Sequence, residues 1–204
     1  MRHRKPEGAR RPGRVKRRQD LLGVVYDVVS ESGIDGASMR QIADRAQVST
    51  GTINYHFGNK EKLVMAALRA AYQTVPPKGG LQISPLEQLK GFAFSYIFRS
   101  TQDRFWRFWV NYTAHGTRDR EMRDHQNQRF EKQQGHWQKL IQAAIDSGEL
   151  KPDLNAENTS KHLLIFAHGL VVRQLLQPGP KIRAECQELL ENYFAGIEAD
   201  NAKN

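Results

Sequence analysis

The 204-residue chain has a single cysteine, Cys186, which excludes a disulfide framework and any zinc site built on cysteines. It has no long hydrophobic run either. The longest apolar stretch, Leu163 to Leu176, is interrupted by His168 and Arg173 and is too short to span a bilayer. No apolar segment follows the N-terminus at signal-peptide distance, so a soluble, cytoplasmic protein is the simplest expectation. No segment alternates apolar and polar residues as a half-buried strand requires, which points to an all-α fold. Chemistry is scarce as well. His115, His125, His136, His162 and His168 form no HxxxH or HExxH pair, so no metal is expected. Ser49-Thr50-Gly51-Thr52 lacks the Gly-Lys-Ser/Thr of a phosphate loop. No serine or cysteine elbow appears, and the paired acids read as solvated helix faces. No catalytic residue, cofactor or enzymatic activity is expected.

What is present is a localised positive charge. Of the net +9, residues 1–18 carry +8, from nine Lys or Arg and one acid, Glu7. With Pro6, Gly8, Pro12 and Gly13, residues 1–17 read as a disordered basic arm that cannot form a continuous helix. Such an arm can follow phosphates or enter a minor groove, strengthening binding by counterion release. The bland alternative is a solubilising tail.

Residues 38–62 spell two short helices joined by a tight turn. Ser38 can cap the first, with Gln41 three residues on. Met39, Ile42, Ala43 and Ala46 recur at helical spacing. Val48 closes the turn, and Ser49 can cap a second helix that buries Ile53 and Phe57. Its other positions, Thr50, Gly51, Thr52, Asn54, Tyr55 and His56, are small or polar. That surface suits base edges and phosphates in a major groove, making double-stranded DNA the expected partner. A preceding helix, about Val15 to Ser32, should bury Leu21, Leu22, Val25, Val28 and Val29 and stop at Gly33. Gly58-Asn59 starts a fourth helix, whose first-turn Lys60 is placed to hold a phosphate.

From Leu21 to about Tyr72 the chain resembles the tetracycline-repressor (TetR) family of bacterial regulators. Ile42-Ala43, Val48-Ser49, Gly51-Thr52, Tyr55-His56-Phe57 and Lys60-Glu61-Lys62-Leu63 carry the resemblance. It implies an all-helical homodimer with an N-terminal DNA-binding domain and a C-terminal ligand-binding and dimerisation domain. Two residues depart from the family pattern. Gln47 stands where a glycine is usual, so a strained backbone is expected there. Asn54 replaces the aromatic residue common one step before Tyr55.

Helix punctuation predicts nine helices in all: a helix-turn-helix domain over residues 18–75, a hinge over 76–84 and a second domain over 85–200. Val75-Pro-Pro-Lys-Gly-Gly80 marks the hinge, and Ser84-Pro85-Leu86-Glu87 opens the second domain with a capping box. Its last two helices are candidates for dimerisation. Ile182, Cys186, Leu189, Leu190, Tyr193, Phe194 and Ile197 form a stripe on the final helix, and the helix before it is apolar on most sides. Two such helices from each subunit would build a four-helix bundle, unless both simply pack inside one subunit.

The aromatic run from Phe92 to Tyr112 is the candidate effector pocket. Phe92, Tyr96, Trp106, Trp109, Tyr112, His115, Trp137, Phe166 and His168 are its candidate lining, with plain core packing the alternative for each. Aromatic faces suit a quaternary ammonium or a flat aromatic effector. Phe105-Trp106-Arg107-Phe108-Trp109, Ile145-Asp-Ser-Gly148-Glu-Leu, Pro152-Asp153-Leu154 and His168-Gly169-Leu170 make residues 85–178 similar to the C-terminal domain of BetI-type repressors. His168 stands where that branch commonly has an acid, which argues against a cationic effector.

These features imply a homodimeric, ligand-responsive DNA-binding regulator, most simply a repressor on a palindromic operator. Ser49 to His56 would enter the groove, with Arg40, Thr50, Thr52 and Asn54 reading bases. Tyr55, His56, Lys60 and Ser38 would hold the phosphate backbone. A non-specific architectural DNA binder is the competing expectation; it leaves the aromatic second domain without a role.

Overall fold

The computed structural model describes residues 12–71, 83–98 and 104–199, with side chains from residue 18 onward. Among the described residues there are nine α-helices and no strand. The chain divides into two compact units, Met1–Gln73 and Thr74–Asn204. The expected hinge falls almost wholly on residues 72–82, and most of the expected arm on residues 1–11; both segments lie outside the described residues.

The first unit holds α1 (Pro12–Gly36), α2 (Met39–Ala46), α3 (Thr50–Phe57) and α4 (Lys60–Ala71). Leu22, Val25, Val28 and Val29 recur along α1 and are buried against α2 and α4, which contribute Ile42, Ala43, Leu63, Val64 and Leu68. Each such aliphatic side chain removed from water contributes about 1.5–3 kcal/mol. Ile53 is the fully buried anchor of α3. The α1 backbone breaks at Gly33, at φ 73° and ψ 173°, a conformation that a Cβ would oppose. The start of α1 corrects the expected arm boundary at residue 17. Pro12 occupies the first helical position, where its missing N–H costs no hydrogen bond and its fixed φ suits the helix.

The second unit holds α5 (Pro85–Ile97), α6 (Arg104–Gly116), α7 (Arg120–Asp146), α8 (Ala156–Leu176) and α9 (Pro180–Ile197). Side-chain caps start three of them: Ser84 for α5, Asp119 for α7 and Asn155 for α8 each accept from a backbone N–H three residues on; α9 has no side-chain cap and opens on Pro180. The long α7 packs on α5, α6 and α8 through Met122, Trp137, Ile141 and Ala144. The chain end is clipped back to the α7–α8 turn. Lys151 donates its N–H to the Ile197 carbonyl at 3.0 Å, and Ala199 donates to that of Glu149 at 2.9 Å.

α8 is covered on only part of its circumference. Leu163, Leu164, Ala167, Leu170 and Val171 are buried, whereas Ile165 (70% exposed), Val172 and Leu176 (76%) face outward. With the exposed Gly169, these fall at i, i+4, i+7 and i+11, one uncovered apolar stripe. No helix of the described residues is long and apolar enough to cross a membrane.

Candidate nucleic-acid interface and ligand site

The turn between α2 and α3 is built by local hydrogen bonds. Ser38 Oγ accepts from the Gln41 N–H at 3.0 Å and so caps α2. At the other end, Gln47 adopts φ 53°, ψ 42°. Its N–H reaches Asp44 O at 3.2 Å, and the Val48 N–H reaches Ala43 O at 3.0 Å. That pair of bonds is the Schellman stop, usually made by glycine. A non-glycine side chain here carries roughly 1 kcal/mol of strain. Ser49 then caps α3, accepting from the Thr52 N–H at 3.0 Å, and its hydroxyl also lies 2.8 Å from Thr52 Oγ1.

With Ile53 buried and Phe57 half-buried, the rest of α3 faces outward. Thr50, Gly51, Thr52, Asn54, Tyr55 and His56 are all exposed, Tyr55 to 83%. Arg40 of α2 is also exposed, and among the described residues it pairs with the exposed Asp44 at 3.9 Å, a pairing too solvated to fix it. Lys60 is placed differently. Its ammonium donates to the Ile34 carbonyl at 2.9 Å, tying the start of α4 to the end of α1. Two positioning contacts were not anticipated from spacing. Arg45 makes a bidentate pair with Glu31, at 2.6 and 2.9 Å, bracing α2 on α1. The Arg18 guanidinium sits 5.5 Å over the Phe57 ring, joining α1 to the end of α3.

In the second unit the aromatic side chains gather around His168. Its imidazole stacks on Trp109, with centroids 4.6 Å apart, and lies 5.4 Å from Phe130, 6.0 Å from Tyr96 and 6.3 Å from Trp106. Tyr96 Oη and His168 Nε2 are hydrogen-bonded at 2.9 Å. Trp137 joins through Tyr96 (5.6 Å) and Phe92 (5.1 Å). Burial, helped by the nearby Arg129 charge, lowers the His168 pKa to about 4, so the ring is neutral near pH 7.

Six of the nine expected lining residues therefore come together: Phe92, Tyr96, Trp106, Trp109, Trp137 and His168. Three do not join the rings around His168 by any ring contact described. Tyr112 is fully buried and hydrogen-bonds His125 Nδ1 at 2.7 Å. Phe166 stacks on Tyr193 of α9 at 5.4 Å. His115 is half-buried in the last turn of α6. Gln126 and Gln133 were missed. Both are buried polar residues on the face of α7 that carries Met122 and Trp137, and their seven-residue interval was the legible sign.

Comparison with known proteins follows the same division. Residues 26–67 match the family of bacterial regulatory proteins described as tetR. Residues 85–198, more than half of the chain, match the C-terminal domain of BetI-type transcriptional repressors. The HTH-type transcriptional repressor KstR2 of Mycolicibacterium smegmatis is 28% identical over 150 residues, 69% of this chain and 71% of that protein. A TetR-family regulator from Rhodococcus shares the fold with a TM-score of 0.79 at 20% identity, covering 89% of this chain and 98% of that one. A regulator from Saccharomonospora viridis, solved with choline, does so at 0.76 and 18% identity, covering 90% and 98%.

Proposed function

The chain belongs to the TetR family of bacterial transcriptional regulators, with a BetI-type C-terminal domain, and from that premise we propose a cytoplasmic homodimeric repressor of a palindromic operator, released by a small molecule. The observation that carries the proposal is the outer face of α3. A capped helix anchored by Ile53 offers six exposed small or polar residues, from Thr50 to His56, and no described residue of its own unit covers them. Arg40, Thr50, Thr52 and Asn54 read base edges, the Thr52 hydroxyl through a position shared with Ser49. Ser38, Tyr55 and His56 hold phosphates, with the Ser49 and Gly51 backbone at the entry to the groove. Lys60 braces the helix pair through Ile34 and presents its remaining N–H donors to the same backbone.

The uncovered stripe on α8 supports the dimer. Ile165, Val172 and Leu176, with the half-exposed Leu189 of α9, are apolar area that a second copy would cover in a four-helix bundle. Two recognition helices then address successive major grooves, about 34 Å apart. The aromatic group around His168 supports the effector site, and the Saccharomonospora viridis relative holds choline. Ligand and operator weaken each other reciprocally by linkage. Footprinting on the DNA flanking the protein's own coding sequence tests the proposal. Two protected half-sites, one helical turn apart, are expected. Uniform protection at every sequence would favour an architectural binder instead.

A further inference from the structure

The buried polar atoms near His168 share a need for an acceptor. Trp106 Nε1, Gln133 Nε2 and Trp137 Nε1 are buried donors without a hydrogen-bond partner. Leaving such a group unpaired costs on the order of 1–3 kcal/mol, and folded proteins keep few of them. The two indoles flank the same phenol, with Trp106 4.9 Å and Trp137 5.6 Å from the Tyr96 ring. Gln133 lies one turn before Trp137 on α7 and three residues after Phe130, whose ring touches His168. An indole N–H can only donate, so the missing component is an acceptor.

The charge balance points the same way. Arg129 precedes Gln133 by one turn and donates to Gln126 Oε1 at 3.1 Å; after burial, its positive charge is the second cause of the lowered His168 pKa. No carboxylate is among the buried described residues. Resting on the ligand-responsive function proposed above, we infer that the effector is an apolar carboxylate, its hydrocarbon or aromatic body among the rings and its oxygens on Trp106, Gln133 and Trp137. A quaternary ammonium would find aromatic faces here. It would also bring a second positive charge toward Arg129 and leave all three donors unpaired.

Trp106, Trp109 and Trp137 are the three tryptophans of the chain, so intrinsic fluorescence reads this site. The full-length protein is titrated with 3-phenylpropionate and decanoate, and in parallel with choline and phenylpropyl-trimethylammonium. The expected result is a saturable change with a carboxylate, at least about tenfold tighter than with the matched ammonium. Gln133→Leu should weaken carboxylate binding about tenfold while leaving the melting temperature unchanged or raised, since it deletes an unpaired donor. A lowered melting temperature with unchanged carboxylate affinity would overturn the inference. So would preference for the ammonium, or no saturable response to either carboxylate up to about 10 mM. Operator binding, measured in the same samples, separates the two proposals. Carboxylate binding without DNA release upholds the carboxylate site and overturns ligand responsiveness. DNA release by an ammonium does the reverse.

Discussion

Tyr96 of α5 and His168 of α8, 72 residues apart in the chain, are joined by a 2.9 Å hydrogen bond inside a shell of aromatic rings. The bond crosses the second unit at the place where three tryptophans converge.

The folded-state pKa of His168 is lowered from 6.5 to about 4, first by burial and then by Arg129. The rings of Tyr96, Trp106, Trp109 and Phe130 surround it, and among the described residues no buried carboxylate offsets the cost of charging it. Between those two pKa values the unfolded chain binds the proton and the folded chain does not. Stability therefore falls as pH drops from about 6.5 to about 4, by up to roughly 3 kcal/mol. His168→Gln should flatten that slope in urea denaturation across the same pH window. An unchanged slope would remove His168 as its source.

The uncovered stripe of α8 predicts a clean separation of assembly from folding. Ile165 is 70% exposed and Leu176 76%, so Ile165→Glu with Leu176→Glu should change monomer stability by less than about 1 kcal/mol. Sedimentation should nevertheless show a dimer for the parent and a monomer for the variant, and operator affinity should fall with it. A dimeric double variant would place the interface elsewhere.

Gly51 offers a probe of close approach. A Cβ there meets only Ser49 Oγ, at 3.7 Å, and alanine in this first turn improves the helix by at most about 1 kcal/mol. Gly51→Ala should therefore raise the melting temperature. If the α3 backbone nears DNA at this position, affinity drops at least about tenfold in a mobility-shift titration. Unchanged affinity would move the α3 contact away from Gly51.

Gln47 carries the strain of the turn, at φ 53°. Gln47→Gly should stabilise the first unit by up to about 1 kcal/mol, since glycine takes this conformation without steric cost. The check is the urea midpoint; a lowered midpoint would show that the Gln47 side chain contributes more than its backbone costs.

The brace made by Lys60 and its proposed phosphate contact can be separated. Losing its bond to Ile34 O should cost about 1 kcal/mol of stability. Losing a phosphate contact should flatten the salt dependence of DNA binding by about one unit of log–log slope. Lys60→Ala should show both. A reduced stability with an unaltered slope would make Lys60 a brace alone.

The helix-turn-helix was legible in the sequence because its signals are local. Ser38 and Ser49 cap within three residues, Met39, Ile42, Ala43 and Ala46 recur at helical spacing, and Gln47 follows at the turn. The start of α1 was not, because Pro12 breaks a helix interior but suits a helix start, and spacing alone does not say which position it holds. The ligand site was half legible. Its aromatic residues stand out in composition, yet which rings meet depends on how α5 to α8 pack. That packing draws Tyr112 to His125 and Phe166 to Tyr193. Gln133 escaped notice because a glutamine on a long polar helix looks solvated until its neighbours on the inward face are known.

The most direct test of the account is selection of binding sites from random duplex DNA at near-physiological salt, with the parent protein and with Asn54→Ala side by side. The account predicts a palindromic site for the parent and an altered base preference at one position of each half-site for the variant. Recovery of DNA without sequence enrichment by the parent, or the same palindrome with unchanged preference from both proteins, would contradict sequence readout by the exposed face of α3.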